Sequence, residues 1–172
     1  PMKPREPYQD WDQEPWPALT LATAPSWAAV AAEYGDIVEA QLRGTDLKAW
    51  VAEAIGEAKE RTQVIDCILA RLQKQVRYIG LEFGETAIVP RTPAETLRRG
   101  YGDCKDKSTL LVALLREAGI RAHVALLRAG DGRDFSPELP GLAAFNHAIV
   151  RVDGPSPLWI DPSVSQARAG TL

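Results

Sequence analysis

Cysteine and histidine are scarce in this 172-residue chain: there are two of each, with a single methionine. Two cysteines exclude the disulfide framework on which small secreted scaffolds depend. A four-ligand zinc site of the Cys/His type would have to consume every one of those residues. Clustered positive charge is missing as well. The 20 Lys and Arg are balanced by 23 Asp and Glu, for a net charge of −3, with no basic stripe to follow a nucleic-acid backbone. No apolar run approaches the roughly 18 residues that would suggest a membrane span, so this segment offers no membrane contact. What is present is an ordinary apolar fraction of 45%, enough to give one domain a core. Any chemistry has to come from very few side chains.

Residues 1–25 read as an extended arm or linker. Pro1, Pro4, Pro7, Pro15 and Pro17 each fix φ and remove a backbone donor, and the stretch lacks the apolar segment of a signal peptide. Residues 26–172 read as one domain, and both ends look cut from a longer polypeptide. Ser26 can cap a first helix carrying Trp27, Val30, Ala31, Tyr34, Val38 and Leu42 at helical spacing, ended by Gly44. A second helix carries Leu47, Trp50, Val51, Ala54, Ile55 and Ala58, and a third is expected from about Thr62 to Tyr78. Residues 80–90 are irregular. Thr92, Pro93 and Glu95 then supply an N-cap, a proline at the first helical position and the partner of a capping box. Gly100 stops that short helix.

The next helix begins near Asp103-Cys104, sends Leu110, Leu111, Leu114, Leu115 and Ala118 into a core, and ends at Gly119. From there the apolar period changes to two, giving strands at residues 121–128, 145–152 and 157–161. The loop at residues 129–144, between the first two strands, is long enough to be functional or mobile. Helices followed by an antiparallel sheet define an α+β fold.

The two cysteines sort differently. Cys67 lies mid-helix among Val64, Ile65, Ile68 and Leu69 and reads as a buried small hydrophobe. Cys104 opens a helix, with Lys105 and Lys107 beside it, where helix-terminal N–H groups favour a thiolate. A helix terminus contributes at most about 2 kcal/mol, or roughly one pKa unit. A free thiol would still be mostly protonated at pH 7, so a strong nucleophile needs an imidazolium partner. His123, on an alternating strand directly after the helix, reads as a strand-surface or edge residue. His147, on the strand after the long loop, is the other candidate. Asp153-Gly154 signals a turn, and a hairpin centred on Gly154 sets His147 directly opposite Asp161, with both side chains on one face. A one-residue slip would reverse that face. An aspartate so placed can orient an imidazole and stabilise its charged form.

The run Gly102-Asp103-Cys104-Lys105-Asp106-Lys107, the strand Phe145-Asn146-His147-Ala148 and the segment Trp159-Ile160-Asp161-Pro162 together resemble the transglutaminase-like superfamily. They are most similar to its bacterial branch with GDCKDK at the nucleophile. The resemblance implies a papain-like α+β core and a triad with Cys104 as nucleophile, His147 as general base and acid, and Asp161 as orienting carboxylate. It implies acyl transfer or hydrolysis at a peptide or carboxamide bond through a thioester, foremost as a cysteine protease or amidase. A protein-glutamine cross-linking transferase and a catalytically silent interaction domain are the alternatives. The Cys104 backbone N–H would be one oxyanion donor and Tyr78 the candidate for a second. No metal or organic cofactor is implied: Asp131 and Asp134 lack an EF-hand pattern, and a Cys/His/Asp metal site would lack a fourth ligand. The expected partners are a peptide or protein substrate and further domains of the same chain. Family members of this kind suggest a periplasmic or extracytoplasmic setting.

Overall fold

The computed structural model of the chain describes residues 21–80, 88–130 and 136–170. Most of the proline-rich arm and parts of the irregular segment and of the long loop lie outside them. Among these residues five α-helices come in order: α1 (Trp27–Leu42), α2 (Lys48–Ile55), α3 (Arg61–Gln75), α4 (Pro93–Arg99) and α5 (Cys104–Glu117). The strands are β1 (Arg77–Tyr78), β2 (Tyr101–Gly102), β3 (Ala122–Leu127), β4 (His147–Val152) and β5 (Leu158–Ile160). Strands β3, β4 and β5 form an antiparallel sheet in that order, so the α+β expectation holds. Among the described residues no helix is long and apolar enough to cross a membrane.

The start signals act as their chemistry dictates. Ser26 accepts the Ala29 N–H at the head of α1, and Thr92 accepts that of Glu95 at the head of α4. The Glu95 carboxylate lies near Arg91 and Arg99. The reciprocal capping box is found instead on α5, between Asp103 and Asp106.

Two helices end earlier than the sequence suggests. Helix α2 stops at Ile55 because Gly56 leaves the helical conformation with φ +49°. Helix α3 stops at Gln75, and Val76 turns extended. Arg77 and Tyr78 then pair in parallel with Tyr101 and Gly102. That pairing joins the ends of α3 and α4, a contact between distant segments that local periodicity does not encode.

Helix α5 is the central element, buried from Cys104 to Leu115. Its Leu110, Leu111, Leu114 and Leu115 pack in one cluster with Ile65, Ile68, Leu69 and Leu72 of α3 and with Val150, Val152 and Ile160 of the sheet. At roughly 1.5–3 kcal/mol for each fully buried aliphatic side chain, this cluster anchors α5 in the core.

Candidate active site

Cys104 is the first residue of α5 and only 3% exposed. Its placement begins with Asp103, whose side chain accepts the Lys105 and Asp106 N–H groups at 2.9 and 3.1 Å. These are among the amides that a helix start leaves without intrahelical partners. Asp106 is buried in turn. It accepts the Arg91 backbone N–H at 2.8 Å and the Arg91 guanidinium at 2.7 Å. Gly102 makes room for this: a Cβ there would stand 2.6 Å from the Cβ of Asp106, so only glycine fits. Burial pushes the Asp103 carboxyl above its ordinary value, and the neighbouring Asp106 charge adds to the rise against the opposing hydrogen bonds and Lys105.

His147 opens β4 and Asp161 directly follows β5. The His147 Nε2 lies 2.7 Å from Asp161 Oδ2, and the ring also hydrogen-bonds Cys104. The register differs from expectation. Val150 faces Ile160 and Val152 faces Leu158, so the pairing is shifted by two residues from a hairpin centred on Gly154. His147 and Asp161 are therefore diagonal rather than directly opposite. A two-residue shift preserves the face, since the side-chain period is two, and diagonal neighbours remain within reach of long side chains.

The electrostatics follow from this geometry. The hydrogen bond to Asp161, then that to Cys104, raises the His147 pKa from its ordinary 6.5 to about 10, outweighing partial burial. Burial acts to raise the Asp161 carboxyl, but hydrogen bonds from His147 and Ser163 overcome it and hold the group below its ordinary value. A protonated imidazole beside a thiol favours the thiolate.

Several positions around this relay escaped sequence reasoning. Ser163 donates its backbone N–H (2.9 Å) and its hydroxyl (2.6 Å) to Asp161 Oδ1, fixing the carboxylate from the side away from His147. The Asp-Pro-Ser sequence is the signal, because a side chain accepting an N–H two residues on is an Asx turn. Lys107 lies buried, its Nζ donating to the Val76 carbonyl at 2.7 Å. Burial lowers its pKa to about 8, with the nearby Asp161 charge opposing. Ser108 donates to the Ala148 carbonyl at 3.0 Å, which ties the cysteine helix to the histidine strand. Asn146 exchanges two hydrogen bonds with the Ala129 backbone and so closes the base of the long loop.

The other candidates named from the sequence are Tyr78, His123 and Cys67. Tyr78 sits on β1 opposite Gly102 and is 46% exposed. His123 lies on the edge strand β3, exposed as expected, 3.3 Å from Asp153. Cys67 is half-buried, not enclosed as its neighbours suggest. The core face of α3 is taken by Ile65, Ile68, Leu69 and Leu72. Cys67 shares the adjoining stripe with Asp66, Ala70 and Gln73, along a surface groove closed by residues 165–168.

A cleft of about 80 Å³ opens over Cys104 and His147, bordered by Tyr34, Lys105, Leu126, Phe145 and Asn146 among others. The sequence profile of the transglutaminase-like superfamily matches residues 48–161, a span that holds Cys104, His147 and Asp161. The chain belongs to that superfamily. Two solved structures share the fold. One is a "putative protease" from Parabacteroides distasonis, with 17% identity and a TM-score of 0.61 over 86% of this chain and 31% of that one. The other is a "putative cysteine protease" from Cytophaga hutchinsonii, with 17% identity and a TM-score of 0.54 over 80% of this chain and 46% of that one. The chain thus spans less than half the length of either. No curated protein matches it.

Proposed function

We propose that this domain is a thiol-dependent acyl-transfer enzyme acting on peptide or carboxamide bonds, with water as the final acceptor: a cysteine peptidase or amidase. The observation that carries the reading is the relay itself. Cys104 hydrogen-bonds an imidazole whose Nε2 lies 2.7 Å from a half-buried carboxylate.

In this reaction the Cys104 thiolate attacks the substrate carbonyl carbon, and a C–S bond forms as the carbonyl π electrons move onto oxygen. The Cys104 backbone N–H meets that developing charge, with the Tyr78 hydroxyl as the candidate second donor. The tetrahedral species collapses, the C–N bond breaks, and the His147 imidazolium gives its proton to the leaving amine. Neutral His147 then takes a proton from water as the water oxygen attacks the thioester. Collapse releases the acid and returns the thiolate–imidazolium pair. Asp161, fixed by Ser163, holds the ring in the orientation both halves require.

Iodoacetamide tests this directly. Cys104 is the more enclosed of the two cysteines, so exposure alone would favour Cys67. The proposal expects the reverse at neutral pH: Cys104 alkylates at least about tenfold faster, and His147→Ala removes the difference. Peptide mapping by mass spectrometry reads both sites. Equal or slower labelling of Cys104 would leave a non-catalytic domain as the better description.

A further inference from the structure

A second cavity, of about 450 Å³, lies between α1 and β3, within the range of sites that take a small ligand or side chain. Its walls include Trp27, Val30, Val124 and Ala125, and it shares Tyr34, Leu126 and Phe145 with the cleft over Cys104. Phe145 stands two residues before His147, edge-on to Trp27 at a centroid separation of 5.7 Å. The nucleophile cleft is the smaller of the two spaces, at about 80 Å³. Because the two spaces share these walls, a substrate held over Cys104 can place a neighbouring side chain in the large cavity.

We infer that this cavity is a specificity pocket for a bulky apolar side chain of an extended peptide substrate, close to the bond attacked by Cys104. The inference rests on the peptidase reading above and adds the substrate class. The charge pattern selects the occupant. The charged and titratable groups at the pocket's rim are already paired: Glu39 pairs with Arg116 at 2.7 Å, Arg116 also donates to the Ala122 carbonyl, and His123 faces Asp153. A charged side chain would lose its water there and meet an already neutralised pair. A leucine or phenylalanine would lose only unfavourable hydration. The backbone geometry suits an extended chain as well. Successive strand residues point to opposite faces, so a wall containing consecutive residues His123 to Leu126 is the outer edge of β3. That edge lies opposite the side paired with β4, where a peptide backbone can add alongside.

The test uses peptidyl acyloxymethyl ketones that alkylate thiols, with Leu, Phe, Gly, Asp or Lys at each of the two positions preceding the reactive carbonyl. Formation of the Cys104 adduct is followed by mass spectrometry. At one of the two positions, Leu or Phe should give labelling at least about tenfold faster than Gly, Asp or Lys, as expected when a pocket discriminates by apolar contact. Gly35 lines the cavity, and a Cβ there would meet nothing within 4 Å. Gly35→Leu should fill the space and bring the Leu and Phe reagents down to the Gly rate. Ala31→Phe, from the next turn of α1, should do the same, and a circular-dichroism melt confirms that each variant folds. Equal rates for all side chains in the wild type would overturn the pocket while fast iodoacetamide labelling keeps the enzyme reading intact. A preference that survives both filled variants in folded protein would also overturn it. Failure of Cys104 to outpace Cys67 with iodoacetamide would remove both.

Discussion

From Leu110 to Leu115 helix α5 is enclosed by aliphatic side chains of α3 and the sheet. From Asp103 to Thr109 it is enclosed just as fully, yet apart from Cys104 every side chain there is polar or charged. The apolar half is held by burial, which is strong but indifferent to small rotations. The polar half is held by directional contacts: Asp106 to Arg91, Lys107 to Val76, Ser108 to Ala148. Burial supplies the stability of the helix, and the polar network sets where the thiol at its tip points. The two halves should therefore fail differently when perturbed.

The largest effect is expected at Asp106→Ala. It strips the Arg91 guanidinium and backbone N–H of their buried acceptor and should cost about 3–5 kcal/mol in urea unfolding, as removing one member of a buried pair does. Cys104 labelling should fall towards the Cys67 rate in the protein that remains folded. Leu114→Ala should cost about 3 kcal/mol by its cavity, but below its unfolding transition the labelling of Cys104 should match the wild type. If Leu114→Ala disturbs labelling as much as Asp106→Ala, the division between the halves is wrong.

A third comparison uses pH. The His147 pKa is raised to about 10. Its pairing therefore stabilises the fold fully below pH 6.5, and that contribution is lost as pH rises through 10. The stability difference between wild type and His147→Gln should shrink across that interval. Lys107 has the opposite sign. Its pKa is lowered to about 8 from 10.5, so charging it opposes folding fully below pH 8, and the penalty disappears by pH 10.5. Lys107→Met should thus be within about 1.5 kcal/mol of wild type, as a volume-conserving replacement of a buried charge often is. Its relative advantage should be greatest below pH 8 and fade as pH rises. The smallest effect is expected at Ser163→Ala, which removes one hydroxyl bond to Asp161 and keeps the backbone one. About 1 kcal/mol of stability and a few-fold slower Cys104 labelling are the outcomes to measure.

Much of the scaffold could be read directly. Ser26 and Thr92 cap the helices they precede, and Leu110 to Leu115 face the core as their spacing requires. The hairpin was legible by face and missed by register, because Asp153-Gly154 marks a turn without fixing how many residues it spans. The early end of α3 was hidden, since Val76 to Tyr78 continues a plausible helical stripe and becomes a strand only when Tyr101 and Gly102 arrive beside it. Cys67 misled for a related reason: apolar neighbours in sequence lie on other faces of the helix. Ser163 was visible only as a turn residue, and nothing local says that Arg91 closes on Asp106.

By itself the sequence determined the scarcity of chemistry. Four Cys and His residues, one of them at a capped helix start and another on a strand facing an aspartate, left little choice of candidates. Local rules suffice for that, because caps, periods and alternating faces depend on residues a few positions apart. Tertiary structure alone decided that the imidazole reaches both Cys104 and Asp161, and that Ser163 holds the carboxylate. It also decided that an apolar cavity adjoins the cleft over the nucleophile. Those distances are set by how α5 packs against the sheet and α1 lies beside β3, between segments far apart in the chain.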